Sequence, residues 1–143
     1  MMNATAPGKV CVFNQTRQSF LSLGVTIADS HVARLKGLLG RRKLRANEGL
    51  WVAPSQGIHT IGMLFAIDLI YLDAENRVIH LVEDLRPFRV SPVKITGASV
   101  LELPVRTIFE SETQVGDEMV ICSAADMEIH WKAQQLHKAV LVP

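Results

Sequence analysis

His59, Thr60, Met63 and Asp68 fall within ten residues of one another, inside an otherwise strongly apolar run from Ile58 to Asp73. An imidazole, a hydroxyl, a thioether and a carboxylate between apolar walls match the usual composition of a small-molecule site, mostly apolar with a few placed polar groups. Trp51 and a cation from the stretch 34–45 would complete such a pocket. Asp68 poses the sharpest question. Desolvating an unpaired carboxylate costs several kcal/mol, so it must be paired, hydrogen-bonded, protonated or placed at a wet pocket. The plainer alternative to a ligand pocket is that His59 or Arg34 pairs with Asp68 and clamps a helix to a sheet, since buried polar networks often only fix packing.

A hydrolytic scheme would need a nucleophile, a base and an orienting group in mutual reach. His59 and Asp68 would serve as base and orienter, with Thr60, Ser55 or a bound water supplying the oxygen. The chain has no nucleophile elbow and no glycine-rich phosphate loop, so this scheme draws little support and no cofactor is expected. His59 and Met63 are soft donors without a local third, and no zinc spacing occurs, so no metal is expected either. Glu102 lies inside an apolar strand and is a second buried carboxylate, expected to pair with an arginine. Cys11 and Cys122 read as buried thiols; a bridge between them would require the first and last strands to be neighbours.

The elements that must position these groups are mostly strands. Val10 to Phe13 and Phe20 to Ala28 flank a polar turn and predict a hairpin, the second strand alternating with period two. Asp29 and Ser30 can cap a helix over His31 to Leu39, stopped by Gly40. Leu50 to Ala53 is a short strand. Phe65 to Leu72 is apolar on both alternating faces, which predicts a strand buried on two sides with Asp68 pointing into an apolar layer. Turn residues at Asp73 to Asn76 return the chain as Arg77 to Glu83. Leu85 to Thr96, with Pro87 and Pro92, reads as a loop or a strand edge. Ala98 to Leu103, Val105 to Glu110 as an extension of the sheet, and Met119 to Cys122 follow. Ser123 and Asp126 resemble a capping box, and apolar residues at three-and-four spacing predict a helix from Ala124 to Lys138. The expected fold is mainly β, a sandwich or barrel, with one short helix packed on it and a C-terminal helix that docks on the sheet or on a second copy as a homodimer.

A chain of 143 residues with 48% hydrophobic and 20% charged residues fits one globular domain over 1–143. The net charge is +1, yet Arg34, Lys36, Arg41, Arg42, Lys43 and Arg45 form an acid-free block, leaving −5 for the remainder. That block complements a helix C-terminus or forms a solvated face. Sparse aromatics and the balanced total argue against nucleic acid as a partner. The N-terminus lacks a basic segment followed by an apolar one, and no apolar run reaches membrane-span length, so the expected location is cytoplasmic.

The ordered motifs Arg34 to Arg41, Glu48-Gly49-Leu50-Trp51, His59-Thr60-Ile61-Gly62-Met63, Ile67 to Asp73, Val100-Leu101-Glu102-Leu103 and Gly116-Asp117 resemble the bacterial and archaeal family called domain of unknown function 192. The resemblance covers about Val25 to Ile121 and leaves a helical extension over 123–143. It implies a jelly-roll-like β-sandwich with one short helix. It implies no activity, although some members carry secretion signals or are associated with envelope or secretion loci. Ala66 stands where the family commonly has proline, and Pro104-Val105-Arg106 where it has a glycine-containing turn. The leading functional expectation is an accessory module binding a small molecule or peptide near Trp51, His59, Thr60, Met63 and Asp68. The alternatives are a hydrolase using His59 and Asp68, and an interaction protein acting through the basic block and the C-terminal helix.

Overall fold

The computed structural model describes residues 8–28 and 41–141. The expected helix at His31 to Leu39, and Arg34 with it, lie outside the described residues. The strands are β1 (Lys9–Asn14), β2 (Ser19–Ala28), β3 (Glu48–Val52), β4 (Ile67–Leu72), β5 (Val78–Leu85), β6 (Ser99–Pro104) and β7 (Met119–Cys122). Among the described residues two helices accompany them, α1 (Thr107–Ser111) and α2 (Ala124–Leu141).

Both expected hairpins form. β1 and β2 are antiparallel, with register shifts between Val10 and Phe13. β4 and β5 are joined by a turn in which Asp73 Oδ1 accepts from the amides of Glu75 and Arg77, at 3.0 and 2.9 Å. Asn76 takes a left-handed φ of 60° there, which an asparagine side chain tolerates well.

The fold is mainly β with a C-terminal helix, as expected, but the strands do not separate into the two sheets of a jelly-roll sandwich. They make one seven-stranded sheet in the order β5-β4-β6-β3-β2-β1-β7. β2 and β3 run parallel, so the sheet is mixed. The sheet curls into a half-barrel until its outer strands approach at one end. There the Val78 amide donates to the Asp117 carbonyl and the Gly116 amide to the Val78 carbonyl, both at 2.8 Å, and Met119 N–H reaches Asn76 O at 2.9 Å.

Curling explains why a strand apolar on both faces does not require a second sheet. β4 is buried at every residue. Its Ile70 and Leu72 join Val12, Val25, Leu101, Leu103 and Met119 on the inside of the curl. Its Ile67, Leu69 and Tyr71 join Leu50, Val52, Met63 and Val100 in an outer layer, packed with Ile58 and Phe65 from the segment between β3 and β4. A third cluster holds Cys11 and Phe13 against Ala124 and Met127 of α2. Trp131 adds ring contacts at 5.8 Å to Phe13 and 5.7 Å to Phe20. The C-terminal helix therefore docks on the sheet, and runs further than expected. The first and last strands are neighbours, with Cys11 opposite Cys122, and both are thiols.

Val105 to Glu110 does not extend the sheet. Arg106 adopts a left-handed φ of 75° and turns the chain into α1. The Thr107 hydroxyl donates to the Pro104 carbonyl at 2.7 Å, and Asp68 accepts the Ile108 amide at 3.0 Å. An amide near the start of a helix has no intrahelical acceptor, so a buried carboxylate held against it fixes the helix in place.

Candidate functional site

Two loops, residues 53–66 and 86–98, lie against each other over the outer layer. His59 and Val90 form an isolated antiparallel bridge. Thr60 N–H donates to Arg89 O at 2.8 Å, Phe88 N–H to Thr60 O at 3.0 Å, and Ser91 N–H to Ile58 O at 2.9 Å. The Thr60 hydroxyl, fully buried, donates to Arg86 O at 2.6 Å and accepts from Arg89 N–H at 2.9 Å. Ser91 Oγ accepts the Ile58 amide at 2.8 Å and lies 2.6 Å from the Tyr71 hydroxyl, which also donates to Pro92 O at 2.6 Å. A buried phenol usually finds such a partner, and here it anchors the second loop to β4. Burial raises the Tyr71 pKa above its ordinary value, against the lowering effect of the Ser91 hydrogen bond.

The joined loops form an open cleft of about 460 Å³ lined by Gln56, Ile58, His59, Ile61, Val90 and Val93. Ile61, Val90 and Val93 are 52%, 71% and 67% exposed, and Phe88 and Ile95 are exposed on the same loop as Val90. Contiguous exposed apolar side chains of this kind mark interaction surfaces, whereas isolated ones are ordinary. His59 is exposed at the cleft, and its side chain makes no hydrogen bond or ion pair among the described residues.

The expected pocket residues separate. Thr60 and Met63 are structural: Thr60 ties the loops together, and Met63 is 2% exposed in the apolar floor beneath them. Trp51 faces the inside of the curl with Ile27 and Leu81, and its buried Nε1 has no partner among the described residues. Asp68 lines a separate cleft of about 390 Å³ with Glu83, Asp84, Val105, Arg106 and Phe109. It shares no lining residue with the His59 cleft.

Asp68 is paired neither with His59 nor with a described cation. Its Oδ1 accepts the Asp84 amide and its Oδ2 the Ile108 amide, both at 3.0 Å. Burial pushes its pKa up, and the two amide bonds only partly offset this while the charges of Glu83 and Asp84 add to it. Glu102, 4% exposed, has no arginine among the described residues: its Oε2 is buried without a partner there, and burial pushes its pKa up to about 8. A hydrolytic centre is not assembled among the described residues. His59 has no orienting acid, the Thr60 hydroxyl is committed to backbone, and Ser55 Oγ donates to Gly57 O at 2.8 Å.

Sequence reasoning missed Ser91, whose type carried no signal. It also missed a buried network around Asp117. The Asp117 Oδ2 accepts from Asn14 Nδ2 at 3.0 Å, Arg17 Nε at 3.1 Å and the Gln114 amide at 2.9 Å. Burial pushes the Asp117 pKa up, but these bonds outweigh it and hold it below the ordinary value.

The comparisons match this architecture. The family model DUF192, described as an uncharacterized ACR, matches residues 12–121. The chain belongs to the DUF192 family. A UPF0127 protein of Thermococcus sibiricus is 28% identical over 140 residues, covering 92% of this chain and 81% of the relative. A UPF0127 protein of Pyrococcus abyssi is 30% identical over 113 residues, covering 76% of this chain and 94% of the relative. A crystal structure of a protein of unknown function from Novosphingobium aromaticivorans superposes with a TM-score of 0.68 at 18% identity, covering 84% of this chain and 93% of that one, and shows the shared fold. The His59 cleft and the Asp68 contacts of this DUF192 chain all lie inside the family match, and α2 lies beyond it.

Proposed function

We propose that this DUF192 protein is a non-enzymatic binding module, and that the cleft beside His59 takes an apolar group carrying one hydrogen-bonding function, presented by a small molecule or a short peptide. The observation that carries the reading is the cleft itself. Exposed Ile61, Val90 and Val93 surround an imidazole with no protein partner among the described residues. Its volume of about 460 Å³ lies within the usual range for ligand clefts. The loops carrying it are cross-bonded to each other and anchored to β4 through Tyr71, so little ordering is required on binding.

The test is a thermal-shift and NMR screen of apolar acids, amides and alcohols, with apolar tetrapeptides as a separate arm. The wild type is compared with Val90→Glu and His59→Ala. Both positions are exposed, so both variants should fold. A hit at about a hundred times its dissociation constant stabilises by about 2.7 kcal/mol. The expected result is a hit abolished by Val90→Glu and weakened by His59→Ala, and the responding arm names its source. A hit retained in Val90→Glu, or no hit in either arm, overturns the proposal.

A further inference from the structure

β7 is four residues long and lies at the edge of the sheet, and its one ladder partner among the described residues is β1. α2 follows it directly. The Ser123 hydroxyl accepts the Asp126 amide at 3.2 Å and the Ser123 carbonyl accepts the Met127 amide at 2.9 Å. The hold of β1 on β7 therefore also fixes the base of α2.

Cys11 and Cys122 stand opposite each other across that pair. Opposed residues of an antiparallel pair project to the same side of the sheet, and both thiols lie beside Ala124 and Met127 of α2. The Gln15 amide donates to the Glu118 carbonyl at 2.8 Å, which makes that level of the ladder a hydrogen-bonded one. By alternation the Cys11 level, four residues away, is another. The Cα atoms of such a pair stand about 5.5 Å apart, inside the range that a disulfide spans. Their Cβ atoms are also about 5.5 Å apart, roughly 1 Å more than a relaxed disulfide has. β7 must move towards β1 for a bond to close, which an edge strand can do. A bond closed under that strain is readily reduced again.

We infer that Cys11 and Cys122 form a reversible disulfide that clamps β7 and the base of α2 to β1, with a low-molecular-weight disulfide such as oxidised glutathione as the oxidant. The two thiols differ in access. Cys122 is half-buried, whereas Cys11 is 1% exposed and its Sγ donates to the Leu23 carbonyl at 3.6 Å. Cys122 loses its proton and attacks one sulfur of the oxidant, forming a mixed disulfide and releasing one glutathione thiolate. Cys11 then loses its proton and attacks the Cys122 sulfur, and the second glutathione leaves. The two protein thiols give up two electrons, and their two protons end on the two glutathione thiols. Burial pushes the Cys122 thiol up, and Asp126 and Cys11 push it further, so the first attack is slow at neutral pH and faster in mild base.

The test incubates the folded full chain with oxidised glutathione in native buffer, at about pH 7 and about pH 9, followed by alkylation and intact-mass measurement. The expected product is a single chain that has lost two hydrogens and takes up no alkylating agent, formed faster at the higher pH and reversed by excess reduced glutathione. Its unfolding constant, read from urea titration, should fall at least about tenfold, with no such shift in Cys122→Ser. Cys11→Ser keeps a donor for the Leu23 carbonyl, so it should fold, and it should hold glutathione on Cys122 as a stable mixed disulfide. A wild type that does not react, that stops at the mixed disulfide, that links only to a second copy, or that closes the bond only in urea overturns the inference. A closed bond that leaves the unfolding constant unchanged overturns the clamp.

Discussion

With no partner among the described residues for its buried Oε2, Glu102 keeps its proton well past the pH at which an ordinary glutamate ionises, from 4.5 up to about 8. Across that window the folded chain holds one more proton at this position than the unfolded chain. Stability therefore falls as pH rises through it, by up to about 1.4 kcal/mol per unit, and the full cost is reached above the folded value. Glu102→Gln is expected to flatten this slope between about pH 5 and pH 8, read from urea unfolding at several pH values. An unchanged slope would mean that Glu102 ionises normally. The sequence marked both Glu102 and Asp68 as buried carboxylates, and both are. It did not give the partners of Asp68. Asp68 uses main-chain amides of Asp84 and Ile108, groups present at every non-proline position and so without a signature in residue types.

At the scale of elements, strand periodicity was legible because a pleated chain alternates faces whatever it pairs with. β7 was expected at the residues it occupies, and β1, β2, β3 and β6 to within two residues at each end. Val105 to Glu110 misled because Val105, Ile108 and Phe109 among polar neighbours fit a strand or a helical turn, and the deciding factors were a left-handed Arg106 and a distant carboxylate. Close packing also sets a demand on β3. A Cβ on Gly49 would stand 2.7 Å from Leu103 Cδ2 and 3.0 Å from Glu102 O. The leucine can shift, but the carbonyl belongs to the neighbouring strand β6. Gly49→Ala is expected to destabilise by about 1–3 kcal/mol, seen as a lower urea midpoint at constant slope. An unchanged midpoint would show that the β3–β6 spacing relaxes freely.

For the molecule as a whole, the weight falls on what ties the two ends of the chain together. Asp117 gathers Asn14 of β1, Arg17 of the following turn and Gln114, while the Asp117 carbonyl receives the Val78 amide where β5 approaches β7. Asp117→Ala removes the acceptor and leaves buried donors facing each other, an expected loss of about 2–4 kcal/mol at neutral pH. The folded pKa is depressed, so this contribution is present above the ordinary carboxylate value of 3.8 and disappears as pH falls through the folded value. The gap between variant and wild type should close in acid; a gap constant down to pH 2 would assign the loss to packing alone. By contrast, the exposed Arg77–Glu118 pair at 3.0 Å should contribute little to the same closure.

The amino-acid order by itself determined the strands, the C-terminal helix, the burial of Asp68 and Glu102, and membership of the family, because periodicity, turn chemistry and ordered motifs are local properties of the chain. Only the tertiary structure decided that the strands form one curled mixed sheet rather than two layers, since a strand buried on both faces is equally compatible with either. It also separated His59 from Asp68. Nine positions along the chain do not fix a distance in space when one residue lies in a loop bonded to residues 86–91 and the other in a strand that meets α1. Which polar groups converge is set by strand order and loop docking, and those arise from long-range pairings that no local pattern encodes.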